Sequence, residues 1–176
     1  MHCLSWLSSS GTAAIVCFPG IMYRGASEKK IRKYLIDNNF VDCVIQLPAN
    51  LFFGTSITTC IMVLKKAKID NNTLFIDASK EFVKGSSTNK LSQKNMNNII
   101  DCFTKRSNIE YFSYLSTYDE VVENDYNLSV STYVETEDTR EKIDIVKLNA
   151  EIKEIVAREE TLRKAIDKII AEIEVQ

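Results

Sequence analysis

Aliphatic residues near the C-terminus return at alternating intervals of three and four: Ile145, Leu148, Ile152, Ile155, Leu162, Ile166, Ile169 and Ile173, with Glu159 alone interrupting the seam. This spacing keeps one stripe of a helix apolar through about four heptads, and such a stripe has to be covered by something. A helix of roughly 30 residues is about 45 Å long at about 1.5 Å rise per residue, too long to lie wholly on a small body. Two readings follow. The segment folds as a helical hairpin against its own body, or it joins a bundle with another chain, self-association included. In the second case these eight residues are the partner interface.

The remainder of the chain is built differently. Residues 135–176 hold 12 acids and 8 bases, net −4, whereas the whole 176-residue chain stands at −2, so residues 1–134 carry +2. A mildly basic body and an acidic tail suit different partners. A hydrophobic content of 45% with 26% charged residues is the balance of a folded domain rather than a disordered chain. No apolar run reaches the roughly 18 residues of a membrane helix, and the start lacks the basic region of a signal peptide. A soluble, cytoplasmic protein with no membrane partner is expected. The five cysteines show no CxxC pair, and four sit inside apolar runs, where a thiol behaves as a small hydrophobe. The single histidine, His2, does not make a metal site.

Within the body, Thr12–Phe18 is a continuous apolar run of strand length, expected in a sheet covered on both faces. Pro19-Gly20 closes it. Ser27 can cap a helix to about Asn39, with Ile31, Leu35 and Tyr34 inward and Lys29, Arg32 and Lys33 on an outer face. Val41–Leu47 is the next strand, parallel to the first across a right-handed crossover. Nine residues separate Leu47 from Ile57, too few for a crossover helix, so the strand Ile57–Leu64 should run antiparallel. A further strand covers Leu74–Ile76, and residues 84–90 form a polar loop. A second amphipathic helix, Leu91–Phe103, turns Leu91, Met96, Ile99, Ile100 and Phe103 inward. Residues 107–134 are dense in aromatics without clear periodicity and read as an irregular segment on the body.

The stretch from Gly11 to Lys66 resembles the segment that follows the catalytic motif in modification subunits of type I restriction systems, which are N6-adenine DNA methyltransferases. The match rests on the Pro19-Gly20 turn with Tyr23-Arg24-Gly25 after a strand, a helix ending in Lys-Tyr-Leu-Ile, and the block LPANLFFGTSITTCIMVL. Asn124-Asp125-Tyr126-Asn127-Leu128-Ser129, then Tyr133-Val134, matches a second signature, and the heptad tail resembles the family's C-terminal helices. The fold implied is α/β: the C-terminal, incomplete part of a Rossmann-like methyltransferase sheet (1–106), an aromatic-rich connecting segment (107–140) and a helical, coiled-coil tail (141–176).

The resemblance also marks what this sequence lacks. The family carries a glycine loop for S-adenosylmethionine and an Asn-Pro-Pro-Phe tetrapeptide that polarises the target amino group. Here Pro19 and Pro48 are the only prolines and are not adjacent, and the five glycines form no G-x-G. Met1 falls inside the helix preceding the first strand, which reads as a truncated start. No catalytic residue and no cofactor site are expected in this chain, which should be inactive alone, although the full-length family uses S-adenosylmethionine.

What remains are contacts. The loop Asn50–Ser56 occupies the place where the family puts a base-contacting loop, and a flipped base is held by aromatic stacking. Phe52 and Phe53 supply rings, Gly54 and Thr55 a close backbone approach; of the two adjacent rings, one is expected to face the base and one the core. Arg24, Lys29 and Lys33, with Lys30 and Arg32, are either phosphate contacts on double-stranded DNA or an ordinary solvated helix face. The implied protein partners are the specificity and restriction subunits of a type I system. The alternative is a non-catalytic α/β interaction module whose tail assembles a complex.

Overall fold

The computed structural model describes residues 1–137 and 145–174, which divide into two units, Met1–Glu137 and Asp138–Gln176. The expected boundary at 140–141 and the side chain of Ile173 lie outside the described residues.

In the first unit, α1 (His2–Trp6), β1 (Thr12–Cys17), a one-turn α2 (Gly20–Tyr23), α3 (Ala26–Asp37), β2 (Val41–Gln46), β3 (Cys60–Lys65) and β4 (Thr73–Asp77) follow in order. A small hairpin, β5 (Val83–Lys84) and β6 (Asn89–Lys90), precedes α4 (Gln93–Lys105), β7 (Ser113–Ser116) and α5 (Tyr118–Glu123). The main sheet has the order β1-β3-β2-β4-β7. β3 runs antiparallel to both β1 and β2, β4 is parallel to β2, and β7 is antiparallel to β4. β1 and β2 therefore point the same way, as expected, but β3 is inserted between them.

Strand alternation builds a core on each face. Val44, Met62, Leu64 and Phe75 meet Leu35 and Ile36 of α3, with Val121 and Leu128. On the opposite face Cys43, Ile45, Val63, Leu74 and Ile76 meet Ile99 and Cys102 of α4. That double cover is why Cys43–Ile45 of β2 and Leu74–Ile76 of β4 are unbroken apolar runs. β1 corrects the same expectation: it is an edge strand with Thr12, Ala14 and Val16 exposed in alternation. An apolar run alone does not distinguish a covered strand from an edge.

Other corrections are local. The third strand starts at Cys60 rather than Ile57, because the preceding loop runs on until Leu47 N–H donates to the Thr59 carbonyl at 2.8 Å. α3 begins one residue before Ser27, with Gly25 at its cap and no side-chain cap bond. Ile100 is exposed on α4, and the polar loop at 84–90 contains the β5–β6 pairing. The segment read as irregular contributes β7 and α5, whose four and six residues are too few to show a period.

The largest departure is Arg32. The sequence puts it on the outer face of α3 and Ile31 within; the structure buries Arg32, 3% exposed, and exposes Ile31. Arg32 Nε donates to the Tyr126 carbonyl, and Nη1 donates to the carbonyls of Ile21 and Arg24, each at 2.8 Å. A guanidinium can be buried when its forked donors meet acceptors in this way. The turn it holds contains two consecutive left-handed residues, Asp125 and Tyr126, both at φ 56. That conformation is costly for a bulky side chain and persists when surrounding contacts over-determine it. Leu128 N–H donating to the Met22 carbonyl at 2.8 Å and Tyr133 stacked on Phe75, centroids 3.9 Å apart, supply the rest.

In the second unit α6 (Ile145–Glu174) is one helix of 30 residues. The hairpin alternative is corrected, since the described segment has no turn. No second helix accompanies α6 among the described residues of its unit. Seam residues from Ile145 to Ile169 are between 45% and 68% exposed.

Replacing Arg32 with Met should lower the unfolding free energy by about 3 kcal/mol or more in urea titrations, since three carbonyls lose their donor. Arg32→Lys should recover only part of this, because an ammonium cannot reproduce the fork.

Candidate nucleic-acid interface

The register of the strands sets the candidate loop Phe52–Thr55 at one end of the sheet. Cys17 pairs with Cys60, Cys60 with Gln46, and Gln46 with Asp77. The carboxyl ends of β1, β2 and β4 thus lie together, and the segments leaving them share that end. This is where open α/β sheets place their ligands.

The loop between β2 and β3 emerges there. Phe53 is 98% exposed and Phe52 is 39% exposed, so neither ring is fully in the core, and Phe53 is the one turned to solvent. Gly54 has φ 81, a left-handed conformation that favours glycine, and a Cβ added there would meet nothing within 4 Å. Thr55 accepts from Ile57 N–H through Oγ1 at 3.2 Å, closing the loop's exit.

The loop is held from outside. Asn50 N–H donates to the Ser56 carbonyl at 3.3 Å, and its Nδ2 donates to Ser87 at 3.2 Å. Asn89 returns the contact, its N–H donating to the Asn50 carbonyl and its Nδ2 to the Ala49 carbonyl, both at 2.8 Å. The β5–β6 hairpin is therefore a brace for the loop. Sequence reasoning missed it, because Asn89 carries no motif signal and its segment reads only as polar.

Other exposed rings leave the same strand ends: Phe18 and Tyr23 after β1, and Phe82 after β4. Phe18 and Tyr23 flank the Pro-Gly turn that the resemblance rests on, a signal that marked the turn without assigning the rings a role.

The basic residues are not a single patch. Lys29 pairs with Asp125, and Lys33 pairs with Asp37 at 3.0 Å while donating to Tyr126 Oη at 2.6 Å and lying over its ring. The bond to Tyr126 first, and Asp37 second, raise the Lys33 pKa above its usual range. Lys33 in turn lowers that of Asp37, and Asp37 pushes Tyr118, which donates to it at 3.0 Å, up to about 12. Arg24 and Lys30 are exposed and have no carboxylate partner among the described residues.

The sequence profile of N-6 DNA methylases matches residues 1–142. The chain belongs to the N-6 DNA methylase family. Among curated relatives, the MpnII methylase subunit of a type I restriction enzyme from Mycoplasma pneumoniae is 48% identical over 99% of this chain and 32% of its own length. The MjaVII methylase subunit from Methanocaldococcus jannaschii is 36% identical over 91% of this chain and 28% of its own length. The chain thus spans about a third of the curated relatives it matches. A solved methyltransferase subunit of a type I restriction–modification system from Streptococcus thermophilus superimposes with a TM-score of 0.75 at 41% identity, over 76% of this chain and 29% of that one. The EcoKI M protein shares the fold at 12% identity, with a TM-score of 0.61 over 94% of this chain.

The N-6 methylase family uses S-adenosylmethionine. A Cβ at Gly11 would meet Leu7 and Ser8, at Gly20 the Arg24 guanidinium and at Gly85 the Thr88 carbonyl, while at Gly25 or Gly54 it would meet nothing. Among the described residues no group of His, Cys, Asp and Glu could hold a metal ion, and no helix is long and apolar enough to cross a membrane.

Removing the brace should loosen the loop without unfolding the sheet. Asn89→Ala should lower stability by no more than about 1 kcal/mol, the net worth of one exposed side-chain hydrogen bond. It should speed amide hydrogen exchange at residues 49–57 while leaving β2 and β3 protected.

Proposed function

We propose that this chain is the C-terminal, base-contacting and subunit-assembling portion of a type I restriction–modification DNA methyltransferase, whose full-length form transfers a methyl group from S-adenosylmethionine to adenine N6. The observation that carries the reading is Phe53, wholly exposed beside Gly54 at the carboxyl end of the sheet. A ring in that position offers a stacking face to an extrahelical adenine, worth about 1–3 kcal/mol per base. Phe52, Gly54 and Thr55 shape the loop around it. Arg24, Lys29 and Lys33 contact phosphates of double-stranded DNA, Lys29 and Lys33 more weakly because Asp125 and Asp37 already balance them. This chain contributes no cofactor or catalytic group, so by itself it neither binds S-adenosylmethionine nor methylates DNA. Calorimetry of the isolated chain should show no saturable uptake of the donor.

In a methyltransferase carrying this segment together with the cofactor-binding portion, Phe53→Ala should reduce kcat/KM for DNA about tenfold or more, by loss of stacking. Phe52→Ala should have a smaller effect. Methylation of a duplex by Phe53→Ala at the unsubstituted rate would remove the loop's role.

The exposed seam of α6 supports the assembly part of the reading, with the specificity subunit as the expected partner and the restriction subunit joining the complex. A bare stripe of this length is unstable in water without cover. Ile155→Asp or Ile166→Asp should abolish co-purification with the specificity subunit, whereas Lys153→Asp, off the seam, should not. If the seam variants still co-purify, the chain is better described as an α/β module that assembles by another surface.

A further inference from the structure

Cys17 and Cys60 are register partners across the antiparallel β1–β3 pair, 43 residues apart in sequence, and their Sγ atoms lie 3.6 Å apart. Facing residues in such a pair have Cα atoms about 4.5–5.5 Å apart, within the span a disulfide bridges. The remaining movement is a rotation that closes the sulfurs to about 2.05 Å. Each residue is also the terminal one of its strand at the loop-bearing end: Cys17 ends β1 and Cys60 opens β3. Cys60 is buried, whereas Cys17 is half-buried and lines an apolar cavity of about 400 Å³ with Met1, Cys3, Ile15, Ile31 and Leu64. The cavity gives a small reagent a route to one sulfur of the pair and not to the other.

We propose that Cys17 and Cys60 are a thiol–disulfide exchange site that takes a low-molecular-weight disulfide such as glutathione disulfide. The Cys17 thiolate attacks one sulfur of the reagent and expels the first glutathione thiolate, leaving a mixed disulfide on Cys17. Cys60, deprotonated as it attacks, then displaces the second glutathione thiolate from the Cys17 sulfur. Two protein thiols are oxidised to one disulfide, one glutathione disulfide is reduced to two thiols, and the two protein protons pass to the departing thiolates. The order follows from the environments: Cys17 faces the cavity and Cys60 does not, and the contact between the two sulfurs, in which either thiol can donate, lowers the Cys17 pKa, while that contact and burial raise the Cys60 pKa. The resulting bond ties the edge strand to the foot of the loop that carries Phe53. It stands on the cysteine geometry alone and does not depend on the role of that loop.

The intact chain incubated with glutathione disulfide, quenched in acid, alkylated and digested should show Cys17 joined to Cys60. It should retain three of its five thiols and exchange amide hydrogens more slowly across Thr12–Cys17. Cys3→Ser should form the same bond, and Cys60→Ser should hold glutathione stably on Cys17. Persistent glutathione on Cys17 with Cys60 still free to alkylate, a Cys3–Cys17 bond, or five unreacted thiols in the unsubstituted chain would each overturn the assignment.

Discussion

A single buried guanidinium holds the body together. Arg32 satisfies carbonyls from α2, from the turn after it and from the Asn124–Ser129 segment. Three stretches of backbone with no ladder to join are thereby fixed against one helix. The Pro-Gly turn stays over the sheet because Arg32 anchors its far side, and the left-handed pair Asp125–Tyr126 is kept because its carbonyl has a charged donor. Hydrogen bonds from a charged group are roughly twice as strong as neutral ones, which suits one side chain to a task that apolar packing could not perform.

The parts of the fold that were legible in the sequence are those set by period and length. Cys43–Ile45 and Ile61–Leu64 are unbroken apolar runs, and the short connection between β2 and β3 fixes their antiparallel pairing; the buried Asp42 in β2 is paired with Arg106. What could not be read depends on three-dimensional partners. Arg32 is one of five nearby basic residues, and nothing local separates the one that finds three carbonyls from those that meet water. Ile31 and Ile100 occupy plausible inward positions but sit at the margins of their stripes, where a small rotation of the helix decides exposure. The insertion of β3 between β1 and β2 is topology, and strand spacing is silent about which neighbour a strand selects.

The candidate site divides along the same line. The loop at Phe52–Thr55 is a contiguous motif, so its residues could be named, and the structure adds which ring faces solvent. The brace at Asn89 and the rings of Phe18, Tyr23 and Phe82 come from other segments that meet it only through strand register. Lys29 and Lys33 look identical to Lys30 in sequence, and only their pairing with Asp125 and Asp37 separates them. A loop braced by a hairpin, rather than by the sheet itself, can be rigid at its feet and still present an unsupported ring at its tip.

The position of β1 has a practical bearing on handling. Its outer rim offers six residues of strand without a charge, a proline or a bulge, the devices by which edge strands discourage pairing with copies of themselves. β7, at the other border, is only four residues long and begins and ends on serine. The two borders therefore differ in their tendency to template intermolecular sheet. In concentrated solutions of this chain, aggregation should start at Thr12–Cys17, and a lysine placed at an outward position such as Ala14 is the natural gatekeeper.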